Sequence, residues 1–210
     1  MVYRPTDRTR QRAEEKRAAL LKAAHGLVAE HGFAGATVSA VTAACHASTG
    51  SLYSSFENRD GLLAAVFRAA ADRELAAVRE AVAVASPAPA DRLDALIGTF
   101  TRRALQGRRM AWSLLFEPVS PAVEAERLVY RRSYVDLGEG IVRDGIALGA
   151  FAPQHAAVAS SAVTGAIAEA LVGRLGPAGG DAAPGLSGES LVAEIRAFCF
   201  RALGAQAPPA

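Results

Sequence analysis

The sequence predicts an all-α protein with a three-helix unit at its N-terminus and a larger helical bundle after it. Three observations carry this. Apolar residues recur at three- and four-residue spacing along most of the chain, as on the buried face of a helix. Gly- and Pro-bearing breaks, such as Ser86-Pro87-Ala88-Pro89 and Gly176 to Gly188, separate the periodic segments. No internal repeat or sheet signal stands out, and at 210 residues with 51% hydrophobic side chains the chain can fill a sizeable core.

From Arg17 to His31, Leu20, Leu21, Ala24, Leu27 and Val28 share one helical face, and Gly32 suits a left-handed end. Phe33 is expected to pack back beneath this helix. Thr37 is a natural N-cap for a short second helix with Val38, Val41 and Thr42 inward, running to about Cys45. After the turn Cys45-His46-Ala47, Ser48 can cap a third helix. Thr49, Gly50 and Ser51 keep its first turn slim enough for backbone N–H groups to approach an anion. Leu52 and Phe56, four apart, anchor it, while Tyr53 and Ser54 project elsewhere. Two short helices joined by a tight turn are the helix-turn-helix arrangement, whose second helix enters the major groove of DNA. Asn58 then caps a long helix carrying Leu62, Leu63, Val66, Phe67 and Ala70, with Asp60 at its positive end.

The stretch from about Lys16 to Phe67 resembles the DNA-binding domain of tetracycline-repressor (TetR) family regulators. That family pattern has a Thr opening the second helix, a Ser-x-Gly-x-Leu-Tyr-x-x-Phe recognition helix and a basic residue before a long connecting helix. Here Thr37, then Ser48, Gly50, Leu52, Tyr53 and Phe56, then Arg59 supply it. The chain departs from the pattern at three points. His46 stands where the family usually has Gly, so that position either avoids a left-handed backbone or carries about 1 kcal/mol of strain. Ser55 replaces a His that in relatives often reaches a phosphate. Arg59 replaces the usual Lys, keeping the charge and adding a planar fork.

The resemblance implies a DNA interface of Thr37, Ser48, Thr49, Gly50, Ser51, Tyr53, Ser54 and Arg59. Thr37, Tyr53 and Arg59 are expected on phosphates, and Thr49, Ser51 and Ser54 near base edges or a thymine methyl. With no Arg, Lys, Asn or Gln on the recognition helix, bidentate reading of G or A is not expected there, so DNA shape and water gain weight. Residues 1 to 17 hold six basic and three acidic side chains, whereas 61 to 210 carry fifteen of each. Such a basic arm can follow the DNA backbone or a minor groove, or serve as a solvated leader.

The rest of the chain predicts further helices from about Asp91 to Gly107, around Met110 to Phe116, from Pro121 to Leu148, from Ala156 to Leu175 and from Glu189 to Leu203. This pattern is similar to the family's effector-binding and dimerisation domain. The expected organisation is a flexible basic arm over 1–15, the helix-turn-helix DNA-binding domain over 16–60, the helical-bundle ligand-binding and dimerisation domain over 61–204, and a loose tail over 205–210. Family pockets suggest an effector site lined by Phe100, Trp112, Leu115, Phe116, Tyr130, Tyr134 and Ile167, with Arg103, Arg131 or His155 as polar anchor. Family dimers suggest Ala159, Val163, Ala166 and Ala170 with Leu191, Ile195 and Phe198 at a two-fold interface. Each of these aromatic and aliphatic residues also fits an intramolecular core.

The expected function is a ligand-responsive regulator, most simply a repressor, that binds a near-palindromic DNA operator as a homodimer. A small-molecule effector would release it, with the helix from Asn58 to Ala85 as lever. The alternative is a protein-interaction module that keeps the three helices without binding DNA. Catalysis is not expected, since His25, His31 and His155 lie apart from any paired carboxylate or Gly-rich phosphate loop. Cys45 beside His46 finds no second ligand at metal spacing, so neither metal nor cofactor is expected, and Cys45 and Cys199 read as buried thiols. No run of about 18 consecutive apolar residues and no signal-peptide core is visible, which favours the cytoplasm.

Overall fold

The structure is a computed structural model and describes residues 7–176 and 186–205. Among the described residues there are nine helices and no strand. The first is α1 (Asp7–Gly35), which begins well before Arg17. Its opening turns are exposed on every side, so apolar spacing could not reveal them. They are rich in Arg, Gln, Glu, Lys and Ala, all strong helix formers. An Asp7–Arg10 pair at 2.7 Å and a bond from Gln11 to Glu15 at 3.2 Å run along them. The stretch expected as a flexible arm is therefore helical from Asp7, and residues 1–6 lie outside the described residues.

Gly32, at φ 73°, interrupts α1 where the left-handed end was expected and sends Phe33 beneath it. Phe33 is buried and stacks on Phe67 with ring centroids 6.3 Å apart. Next come α2 (Val38–Ala44), α3 (Thr49–Ser55) and α4 (Arg59–Val84). The three expected caps form. Thr37 Oγ1 accepts from the Ala40 N–H at 3.2 Å, Ser48 Oγ from the Ser51 N–H at 3.1 Å, and Asn58 Oδ1 from the Gly61 N–H at 2.8 Å. Leu20, Val28, Val41, Leu52 and Leu62 fill the core between these helices.

His46 adopts φ 52°, so the turn between α2 and α3 keeps the left-handed backbone and the side chain bears its strain. Glycine there is expected to raise stability by about 1 kcal/mol, less a part lost to the greater freedom of the unfolded chain. For a chain of this size that is a gain of about 2–4 °C in Tm. A thermal melt of His46→Gly showing no gain would mean the turn relaxes around the imidazole at no cost.

The chain divides into two compact units. One comprises Met1–Ala70 with Glu117–Glu126, the other Ala71–Phe116 with Arg127–Ala210. The boundary expected near residue 60 thus falls ten residues later, inside α4, and a short downstream segment joins the first unit. In the second unit α5 (Pro89–Gln106), α6 (Arg108–Leu115), α7 (Pro121–Ala147), α8 (Ala156–Leu175) and α9 (Gly188–Ala202) surround a core of Ile97, Ile141, Ile167, Leu171 and Phe200. Arg92–Asp144 and Arg196–Asp94 ion pairs tie α5 to α7 and α9.

Four residues expected at a dimer interface, Ala159, Val163, Leu191 and Ile195, are instead part of this core. Helices α8 and α9 pack on each other and on α5, and that packing consumes their most apolar faces. Ala166 is half-buried, while Ala170 and Phe198 face outward. Helix α8, with a mean hydropathy of 1.5 over its most apolar stretch, has the length and composition to cross a membrane, although no uninterrupted apolar run marked it. Cys199 is buried, which pushes its thiol up to about 11 and keeps it neutral. Cys45 is only partly buried, and its thiol points to the Val41 carbonyl at 3.2 Å.

Candidate nucleic-acid interface

Helix α3 presents two faces of opposite character within one turn. Leu52 and Phe56 are buried, while Tyr53 between them is 52% exposed. Thr37, Ser48, Thr49, Gly50 and Ser54 are exposed and Ser51 is half-buried, so the N-terminal half of α3 and the cap of α2 form an open surface of small and hydroxylic side chains. A Cβ on Gly50 would meet only Ser48 Oγ at 3.8 Å, so the space above this turn is open.

Several hydroxyls already have local partners. Ser48 Oγ lies 3.0 Å from Ser51 Oγ, and Ser54 and Ser55 both donate to the Ser51 carbonyl, at 2.9 and 3.0 Å. Thr37 spends its oxygen on the α2 cap, which leaves its proton for an outside acceptor. Tyr53 is the one aromatic side chain on this open surface.

The charged residues around α3 brace it. Arg59 turns its fork inward, donating from Nη2 to the Phe33 carbonyl at 2.7 Å and from Nε to the Ala36 carbonyl at 3.0 Å, so any phosphate contact falls to Nη1 and the second hydrogen of Nη2. Arg17, which the sequence pattern did not single out, donates to the Ser55 carbonyl at 2.6 Å and lies over the Phe56 ring at 4.0 Å. It thereby satisfies a carbonyl at the C-terminus of α3 and complements the helix dipole there. Glu117 was missed as well. Its buried carboxylate accepts from the backbone N–H groups of Phe33 at 3.0 Å and Ala34 at 3.1 Å. Nothing in the local sequence pairs residue 117 with the α1–α2 turn.

In the second unit the structure brings some of the expected effector residues together. Phe100 meets Tyr134 edge-on at 5.1 Å, and Trp112 lies 5.4 Å from Phe116. These four and Leu115 are half-buried against the core, whereas Ile167 lies within it. Tyr130 instead donates to Asp72. Arg103 is not a free anchor. It forms a two-bond ion pair with Glu74, at 2.6 and 3.0 Å, which raises the guanidinium's pKa despite partial burial. Burial, together with the nearby Glu74 carboxylate, pushes the Tyr134 hydroxyl up as well. Arg103 also faces an open cleft of about 410 Å³ with Arg102, Glu80 and Gln106, and none of the expected aromatic residues lines that cleft. His155 caps α8 through its Nδ1, which accepts from the Val158 N–H at 3.4 Å. Arg131 is exposed. Among the described residues no cluster of His, Cys, Asp or Glu has the makings of a metal site.

No curated protein matches the chain. Among solved structures, the fatty acid degradation regulator FadR from Bacillus halodurans is 19% identical, with a TM-score of 0.71 over 90% of this chain and 95% of that one. FadR from Bacillus subtilis, solved in complex with stearoyl-CoA, is 16% identical, with a TM-score of 0.71 over 89% and 97%. AibR, solved with isovaleryl coenzyme A and operator DNA, is 20% identical, with a TM-score of 0.67 over 87% and 97%. These likenesses establish a shared fold. Two family descriptions match the sequence itself: bacterial regulatory proteins, tetR family, over residues 20–66, and the tetracyclin repressor-like C-terminal domain over residues 86–171. Together they span more than half of the chain, which belongs to the tetR family of bacterial regulatory proteins.

Proposed function

We propose that this protein is a transcriptional repressor that binds a near-palindromic operator as a homodimer and leaves it when a small molecule binds the second unit. The observation that carries the reading is the exposure of Tyr53 between buried Leu52 and Phe56, beside an open hydroxyl-rich helix start. An exposed tyrosine among small hydroxylic side chains offers a partner both an apolar ring and a hydroxyl donor. Tyr53 and Thr37 would donate to phosphates, and Thr49 would meet a base edge or a thymine methyl. The AibR structure, which holds operator DNA, lends support from the same fold.

Dimerisation is supported by exposed Phe198 on α9 and by Ala162, Gly165 and Ala170 on the outward face of α8, small residues that allow close helix approach. Two copies of α3 would then read half-sites about 34 Å apart. Release requires only that the effector bind better to a conformer whose recognition helices are wrongly spaced. The half-buried aromatic pairs Phe100–Tyr134 and Trp112–Phe116 are the proposed lining of the effector site. Acyl-CoA thioesters, bound by two structural neighbours, are the first compounds to screen.

Selection of bound duplexes from random DNA would supply the operator, and gel-shift titration would then test the interface. Tyr53→Ala is expected to weaken binding about tenfold on every sequence, as befits a lost bond to a charged phosphate. Thr49→Ala should narrow the gap between the selected operator and its mutated forms instead. Unchanged affinity for the Tyr53 variant would remove the interface from α3.

A further inference from the structure

Within the second unit, α6 carries a polar group that the fold leaves without a partner. Among the described residues of that unit three hydroxyls are buried, those of Thr101, Ser113 and Ser160. Thr101 donates to the Ile97 carbonyl one turn back at 2.8 Å, and Ser160 donates to the Val135 carbonyl of α7 at 2.7 Å. Ser113 has no exposed surface, and its Oγ bonds to nothing. A helical serine can take the carbonyl four residues back, as Ser133 and Ser161 do at 3.2 and 2.9 Å. Ser113 leaves that of Arg109 alone. Burying a hydroxyl without a bond costs stability, and an alanine would avoid the cost.

The surroundings restrict what could meet this hydroxyl. On α6 it stands beside Trp112 and less than a turn before Phe116, whose ring lies 5.4 Å from that of Trp112. Helix α6 packs on α5, which carries Phe100, and Phe100 meets Tyr134 edge-on. Two arginines of this neighbourhood are already occupied. Arg103, beside Tyr134, is taken up by the Glu74 carboxylate, and Arg127 by the carbonyls of Leu114 and of Ser113 itself. Burial pushes the Tyr134 hydroxyl up, so it stays a neutral phenol. An anion brought among these groups would lose its water and gain no free countercharge, whereas an uncharged oxygen would lose less and satisfy Ser113.

An orphaned donor among aromatic rings matches a mostly apolar site with one orienting polar group. We propose that the Ser113 hydroxyl is the specificity-determining contact of the effector site, donating to an uncharged carbonyl oxygen on an otherwise apolar part of the effector. This rests on the reading of the two aromatic pairs as the lining of that site. It names the class of effector as one recognised at a ketone, ester or thioester carbonyl and not at a carboxylate.

Ser113→Ala in the full chain tests this in two ways. Without ligand it should raise Tm by about 2–4 °C, since it removes an unsatisfied group and little volume. A fall of that size would show that the hydroxyl is satisfied within the protein, and would overturn the proposal. Calorimetric titration with acetophenone, ethylbenzene and benzoate is the second test, because the three share a ring and offer a neutral carbonyl, no polar group or a charge. The wild type should bind acetophenone tightest and benzoate weakest. Ser113→Ala should lose about tenfold in affinity for acetophenone, the equivalent of one hydrogen bond, and leave ethylbenzene unchanged. Equal losses for the two neutral compounds would mean that Ser113 only shapes the packing, and an undiminished affinity for the ketone would mean that it makes no contact. Either result overturns the proposal and leaves the aromatic site in place, as does benzoate binding tightest of the three. No saturable binding by any of them removes the effector site at the aromatic pairs, and the proposal with it.

Discussion

Leu52→Ala is expected to destabilise the first unit by about 3 kcal/mol and to abolish operator binding at ordinary protein concentrations. Leu52 has no exposed surface, so its truncation loses both transfer energy and the contacts around the cavity left behind. It is also the residue by which the seven-residue α3 is held to α1 and α2. A helix this short has no stability of its own and exists because its apolar face is buried. The neighbouring Tyr53→Ala serves as the control, since it removes an exposed ring and should leave the melting temperature almost unchanged. Denaturant titration and gel shift on the two variants therefore separate packing from contact. Equal stability of both variants would show that α3 is held by something other than its Leu52 face.

Phe198→Asp is expected to convert the proposed homodimer to monomers and to cost at least a hundredfold in operator affinity. Within one chain Phe198 is 55% exposed, so the substitution should barely touch the fold. In a two-fold interface it counts twice, placing two carboxylates in a patch that must shed water. An unpaired charge of that kind costs several kcal/mol. A monomer keeps one recognition helix and loses the gain from holding two half-sites at once. Light scattering or sedimentation gives the mass, and gel shift gives the affinity. A variant that stays dimeric would exclude the Phe198 face and move the search to the exposed pair Leu128 and Val129 on α7.

Wherever local chemistry decides structure, the chain was legible. The caps at Thr37, Ser48 and Asn58 form because a short polar side chain before a helix has few better uses than the orphaned N–H groups beyond it. The split between Leu52 and Tyr53 follows from helical spacing. The same reasoning misplaced the start of α1, because a helix exposed all round has no buried face to leave a periodic signal. It could not separate core from interface on α8 and α9 either. Val163 and Phe198 both sit at apolar positions, and only the packing of α8 and α9 against α5 decides which turns inward.

Composition, spacing and caps by themselves determined that this protein is all helical, that its first three helices form a helix-turn-helix and which residues of α3 face out. These are short-range facts, set by the period of the helix and the hydrogen-bonding reach of a side chain. Tertiary structure alone decided that Arg59 faces two carbonyls, that Arg103 is already paired with Glu74, and that Glu117 holds a turn 83 residues earlier in the chain. Each depends on which distant backbone or carboxylate comes within about 3 Å, and that distance is fixed by how the helices pack.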